Sequence, residues 1–261
     1  MSRQDVLIEA VELNARLRAG AKLVVLAVGS ATPQGIHEGI PGAIPVDPAD
    51  FAGAGGGTKG ARPLPEIADL QARVRGWGLD DDSEVVLYDS NGGLSAARGW
   101  WTLKWAGLPR VRLLDGGLAA WEEADLPFAP LAHAQAQGTA SLSAGHLPQI
   151  EADEAADFAR HDILLDARND KAFAAGHIPG ARNLPASGNL DGNDRFLPDE
   201  ALHARYSFRD GARIAVSCGS GVSAAHDIAA LAIIGIQAPL YVGSWSGWSA
   251  DPSRPVALEA A

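Results

Sequence analysis

The sequence predicts an α/β protein made of two tandem copies of one domain, each a parallel sheet flanked by helices. Two observations carry this. The chain repeats itself, and within each copy short apolar runs alternate with helix-forming stretches. The first half has "VVLYDSNGGLSAARGWW" and the second has "IAVSCGSGVSAAHDIAA". Placing Asp89 against Cys218 brings Ser95-Ala96-Ala97 onto Ser223-Ala224-Ala225, with one residue extra in the first half. Upstream, "GIPGAIPVD" parallels "HIPGARNLPA" and "PLPEIADLQARV" parallels "FLPDEALHARY". Downstream, "LLDGGLAAW" parallels "YVGSWSGW". Matches in one order, at offsets of about 130 residues, mark duplication of a whole domain rather than a short solenoid unit.

The elements follow in order. "MSRQDVLIEAVELNARLRAG" carries charges throughout and lacks the apolar core and cleavage site of a secretory signal. "KLVVLAV", "EVVLYD", "DILLDA" and "RIAVSC" read as strands buried on both faces of a parallel sheet. "FAGAGGGTKGARP" (51–63) reads as a flexible loop within the first domain; its "GGGTKG" lacks the G-K-[ST] ending of a phosphate-binding loop. "SAARGWWTLKWAG" and "SAAHDIAALAIIG" read as helices, each opening with Ser and closing before Gly. A Pro-, Ala-, Ser- and Gly-rich stretch between the copies reads as a linker. The expected division is a first domain over 1–127, a linker over 128–145 and a second domain over 146–261.

With 47% hydrophobic residues in 261, the chain builds a core without a disulfide or structural metal, and its single cysteine forms no internal disulfide. The formal charge of −11 and the absence of a basic cluster argue against a nucleic-acid partner. No apolar run approaches the roughly 20 residues of a membrane helix. A soluble, cytoplasmic protein with no membrane partner is expected.

The one cysteine lies in "SCGSGVSAAH", between the end of a strand and the start of a helix. Its glycines let backbone N–H groups turn inward, and such a loop at a helix N-terminus is an anion cradle. A thiolate is the form that such a loop favours, and it is the nucleophilic form. An unpaired cysteine is more often a small buried hydrophobe. Here its neighbours Gly219, Ser220, Gly221 and Ser223 do not make an apolar surrounding, and the functional reading prevails; with Val222 they form the expected anion loop. "GSGVSA" fits a dinucleotide fingerprint in letters, but no Asp or Glu occurs between Asp227 and Asp251 to hold a ribose. A cysteine phosphatase needs an arginine where this chain has Ala224.

In combination, "CGSGVSA", "LDAR…AGHIPGARNLP", "LLDGG…W" and "GSW" resemble the tandem rhodanese-domain sulfurtransferases, over nearly the whole chain. Within that family the loop is similar to the 3-mercaptopyruvate type rather than the thiosulfate type, in which basic residues follow the cysteine. The resemblance implies sulfur transfer through a Cys218 persulfide, from a small anionic donor, with 3-mercaptopyruvate favoured and thiosulfate next. The acceptor it implies is a thiol such as thioredoxin or glutathione, or cyanide in the laboratory. It implies no cofactor and no metal, and the seven histidines show no metal-ligand spacing. With Asp89 at the cysteine's place, the first domain resembles the family's inactive half, and the resemblance implies that it is the non-catalytic one.

Arg168 of "LDAR" matches the family's substrate arginine and is expected to hold a donor anion in two parallel hydrogen bonds. Arg98 opens the first-domain helix and is a possible cleft residue. Ser220 and Ser223 are candidates to stabilise the leaving group, with Ser223 as readily a helix cap. His177 and His226 read as structural or packed, and Trp100, Trp101 and Trp105 as core and interdomain packing. Three family features are missing: a second substrate arginine before "GHIPG", a histidine where Gly39 stands, and an aspartate where Ala27 stands. The rival from another class is a non-enzymatic module whose loop senses oxidants or binds a partner.

Overall fold

The computed structural model describes residues 1–29, 38–209 and 211–258; the last residues of the expected second domain, 259–261, lie outside them. In chain order the first half contributes β1 (Leu7–Ile8), β2 (Leu23–Val28), β3 (Glu38–Gly39), β4 (Ile44–Val46), β5 (Glu84–Tyr88), β6 (Arg110–Leu114) and β7 (Ala129–Pro130). The second contributes β8 (Gln149–Ile150), β9 (Ile163–Asp166), β10 (Arg182–Asn183), β11 (Ile214–Ser217) and β12 (Leu240–Tyr241). Two parallel sheets run β1-β6-β5-β2-β4 and β8-β12-β11-β9-β10, while β3 and β7 form a separate antiparallel ribbon. Written from the same edge, the two orders coincide strand for strand, with β5 standing where β11 stands. The internal repeat is thus a repeat of topology.

Side chains alternate along each strand between two apolar layers. Leu26, Val28, Val85 and Leu87 face a core shared by the two domains, while Val25, Ala27, Val86 and Tyr88 face an outer layer with Trp121. In the second sheet Ile163, Leu165, Ile214 and Val216 face the shared core, and Leu164 and Ala215 face outward. Burial on both faces is why these strands read as continuous apolar runs. Cys218 continues the parity of Ile214 and Val216, so it belongs to the shared layer.

That layer is built on two helices, Leu94–Trp105 and Val222–Ile233, packed against each other across the domain boundary. Alanines at 224, 225, 229 and 230 keep the second helix narrow, and Trp100 and Trp101 fill the space opposite. Burying each indole contributes on the order of 3 kcal/mol. The Trp100 N–H is satisfied by the Val111 carbonyl at 3.0 Å.

Local departures from expectation have simple causes. Both helices begin one residue before the expected serine, because Gly93 and Gly221 cap them in left-handed conformations at φ 78° and 80°. Ser223 is therefore not a cap. The linker lies along the first domain, where Gly138 N–H meets the Arg75 carbonyl at 2.8 Å and Thr139 Oγ1 meets Asp80 at 2.7 Å. The glycine-rich loop is not confined to the first domain: its turn Gly57–Lys59 packs on the helix Ser244–Trp248, and Ala61 N–H donates to Ser246 Oγ at 2.9 Å. Gly60 allows that approach, since a Cβ there would stand 2.6 Å from the Gly243 carbonyl oxygen. Among the described residues no helix is long and apolar enough to cross a membrane.

Candidate active site

Cys218 immediately follows β11, at the carboxyl end of a central strand, where ligands of open parallel sheets bind. Its Sγ accepts the Gly221 N–H at 3.0 Å. Its own N–H donates to Ser244 Oγ at 3.2 Å, and that hydroxyl donates to the Tyr241 carbonyl at 2.8 Å while standing 4.0 Å from Sγ. Trp245 N–H reaches the Cys218 carbonyl at 2.8 Å and Ser246 N–H reaches that of Gly219 at 3.0 Å. The loop is therefore stapled to the helix Ser244–Trp248. Cys218 is buried, yet it also forms the floor of a pocket of about 350 Å³, walled by Arg168, Ser187, Gly219, Ser220, Val222, Ser223 and, from the first domain, Leu94.

The equivalent loop of the first domain shows what this backbone does with an anion. Asp89 Oδ1 accepts N–H groups from Asn91 and Gly93 at 3.0 and 2.8 Å, and Oδ2 accepts Ala96 N–H at 2.9 Å. The cradle closes on its own carboxylate.

Arg168 lies beside Cys218 as expected, but its guanidinium is already engaged. Nε stands 2.9 and 3.0 Å from the two Asp166 oxygens, and Nη2 stands 2.6 Å from Oδ2. Nη1 donates to the Ala172 carbonyl and Nη2 also to that of Gly176, at 3.1 and 2.8 Å. Of the five N–H donors of a guanidinium, one on Nη1 is left for a ligand. In this geometry the two-pronged face of the guanidinium is turned to Asp166.

Arg98 is deeply buried and crosses the domain boundary. Its Nη1 stands 3.3 Å from the Gly221 carbonyl, its Nη2 3.0 Å from that of Arg62 and its Nε 3.4 Å from that of Phe51. Burial pulls its pKa down to about 10, opposed by the electrostatic influence of Cys218 and assisted by the like charge of Arg62.

The remaining candidates are packed. His226 is fully buried against Phe196, with ring centroids 4.5 Å apart, and desolvation drives its pKa down to about 4. His177 stacks on Phe173 at 3.8 Å. Gly39 explains its own missing side chain, since a Cβ there would stand 2.4 Å from the Tyr88 hydroxyl. Ala27 is buried in the outer layer. Among the described residues no group of His, Cys, Asp and Glu is placed to hold a metal.

Residues 15–124 and 150–251 match the rhodanese-like domain family. The chain belongs to that family. This rhodanese-like chain is 43% identical over 225 residues, 77% of each protein, to a probable 3-mercaptopyruvate sulfurtransferase of Pseudomonas aeruginosa. It is 40% identical over 282 aligned positions, 98% of each protein, to SseB of Mycobacterium tuberculosis, a putative thiosulfate sulfurtransferase. The rhodanese-fold 3-mercaptopyruvate enzyme SseA of Escherichia coli superposes with a TM-score of 0.80 at 26% identity, covering 92% of this chain and 98% of that one. It is a sulfurtransferase of two rhodanese-like domains.

Sequence reasoning missed Asp166, Ser187 and Ser244. "LDAR" and "GSW" contain the first and last of these, but their letters carry no sign that Asp166 faces Arg168 or that Ser244 reaches Cys218.

Proposed function

We propose that the protein moves sulfane sulfur through a Cys218 persulfide, taking it from 3-mercaptopyruvate in preference to thiosulfate. The acceptor is a small or protein thiol such as glutathione or thioredoxin. The Cys218 thiolate attacks the donor's sulfur, an S–S bond forms and the donor's C–S bond breaks. The electron pair stays with the carbon as the enolate of pyruvate, which takes the proton released from the new persulfide. An acceptor thiolate then attacks the outer sulfur, the S–S bond breaks, and Cys218 returns as thiolate. With thiosulfate the leaving group is sulfite.

The carrying observation is the placement of Sγ on the pocket floor, with a Gly221 N–H directed at it. The choice of donor rests on charge. Gly219 and Ser220 wall the pocket without a cation, and Arg168 is spent on Asp166. A single carboxylate asks less of such a pocket than a dianion does.

Mass spectrometry after donor treatment tests the carrier: one sulfur is expected on Cys218, removable by cyanide. Cys218→Ser, nearly isosteric, is expected to fold and to be inactive, because a hydroxyl is hardly ionised near neutral pH. Normal turnover in that variant refutes the mechanism. Side-by-side kcat/KM values decide the donor, and a higher value for thiosulfate overturns the preference.

A further inference from the structure

The helices Leu94–Trp105 and Val222–Ile233 exchange side chains across the domain boundary. Arg98 is the fifth residue of one and His226 the fifth of the other. Arg98 contacts Gly221, the capping glycine of the cysteine loop. His226 lies against Gly93, the capping glycine of the Asp89 loop, where a Cβ would stand 3.8 Å from Nε2. The two contacts are related by the duplication, but their charges differ. The Asp89 loop, which holds its own anion, receives a neutral imidazole; the cysteine loop receives a guanidinium.

A guanidinium taken out of water is costly unless an anion compensates it. Around Arg98 stand the backbone carbonyls of Phe51, Arg62, Pro63 and Gly221, which are dipoles and not charges. No carboxylate among the described residues pairs with it. The charge that favours its protonated form is that of Cys218. Gly221 links the two groups chemically, since its N–H is directed at Sγ while its carbonyl is held by Arg98.

We propose that Arg98 is a positioning residue of the sulfur-transfer site, through which the first domain lends the second a buried positive charge favouring anionic sulfur on Cys218. The proposal rests on Cys218 being the sulfur carrier. The charge acts on thiolate and persulfide alike, and it fixes the glycine that orients the loop. The non-catalytic domain is then a working part of the site.

The test compares Arg98→Met, which removes the charge, with Arg98→Lys, which keeps it. Alkylation of Cys218 by neutral iodoacetamide is followed against pH in each folded variant. In Arg98→Met the half-maximal rate is expected to move up by about one pH unit, and kcat to fall about tenfold with a smaller change in KM. Arg98→Lys is expected to keep a profile close to wild type. An unshifted profile in Arg98→Met, or equal shifts in both variants, overturns the proposal. Should Arg98→Met fail to fold, wild type and Cys218→Ser are compared by thermal unfolding between about pH 6 and about pH 9. The wild-type advantage is expected to grow with pH, because only the thiolate compensates Arg98; a constant gap overturns the proposal. Persulfide detection on the wild-type protein separates a failure of Arg98's role from a failure of Cys218 as carrier.

Discussion

Asp166 grips Arg168 from two residues away, with N–O contacts of 2.9, 3.0 and 2.6 Å. The pair is nearly dry, at 1% and 9% side-chain exposure, and the guanidinium also lies 5.0 Å above the Trp245 ring. Breaking such a pair strands a buried charge, at a cost of about 3–5 kcal/mol. Arg168→Ala is therefore expected to lose about that much unfolding free energy in urea, beyond any effect on donor use. Adding Asp166→Asn in the same chain is expected to restore much of it. Equal stability of the single and double variants would show that Arg168 is no structural partner of Asp166.

The two glycines flanking Ser220 are expected to differ sharply on conversion to alanine. At Gly221 the left-handed backbone costs an alanine about 1–2 kcal/mol, and its Cβ would stand 2.7 Å from Arg98 Nη1. At Gly219 the nearest atom is Arg168 Cδ at 3.8 Å, an ordinary contact. Steady-state kinetics should show Gly219→Ala near wild type and Gly221→Ala reduced about tenfold or more. Similar activities in the two variants would contradict this account of the loop.

A buried carboxyl behind the site predicts a pH dependence of stability. Burial raises Asp227 to about 7, opposed by the Asn189 side chain and the charges of Arg205, and reinforced by the charge of Asp166. Asn189 Nδ2 meets Asp227 Oδ1 at 2.7 Å, while Oδ2 has no partner. Because the folded value lies above the unfolded one, Asp227's contribution is fully present below about pH 4 and is lost as pH rises through about 7. Asp227→Asn removes that loss. It should be more stable than wild type at about pH 8, by roughly 1–3 kcal/mol, and should lose the advantage near pH 4. Unfolding curves at the two pH values decide, and an advantage larger at low pH would reverse the sign.

The uncharged positions 219 and 220 of the pocket wall predict how donor choice can be altered. Gly219→Arg with Ser220→Lys places two cations beside Cys218, and position 219 has room for a side chain. The double variant is expected to raise kcat/KM for thiosulfate more than for 3-mercaptopyruvate, and to do so less at high salt. A salt-independent or donor-independent change would remove charge as the cause.

Much of this was legible in the letters because it is local. The strands announced themselves through continuous apolar runs, and the cysteine loop through glycines packed around one thiol. What stayed hidden was partnership. Arg168 was visible as a basic residue at a strand end, but its commitment to Asp166 depends on how two side chains turn at the end of β9. Arg98 was visible only as a possible cleft residue, because its target lies 123 positions away across a domain boundary. Ser244 was hidden for the same reason, standing 26 positions from the cysteine whose N–H it accepts. The serine starts of the two helices were misplaced by one residue because a left-handed glycine serves as the cap without a side-chain acceptor.

The three N–H groups on Asp89 also bear on how a duplicated gene keeps both halves. With a carboxylate at that place the first-domain loop is filled from within, because the Asp89 side chain itself supplies the anion the backbone gathers around. The helix behind that loop carries Arg98, which reaches the Gly221 carbonyl of the other copy, so a change in one half bears on the cysteine loop of its twin.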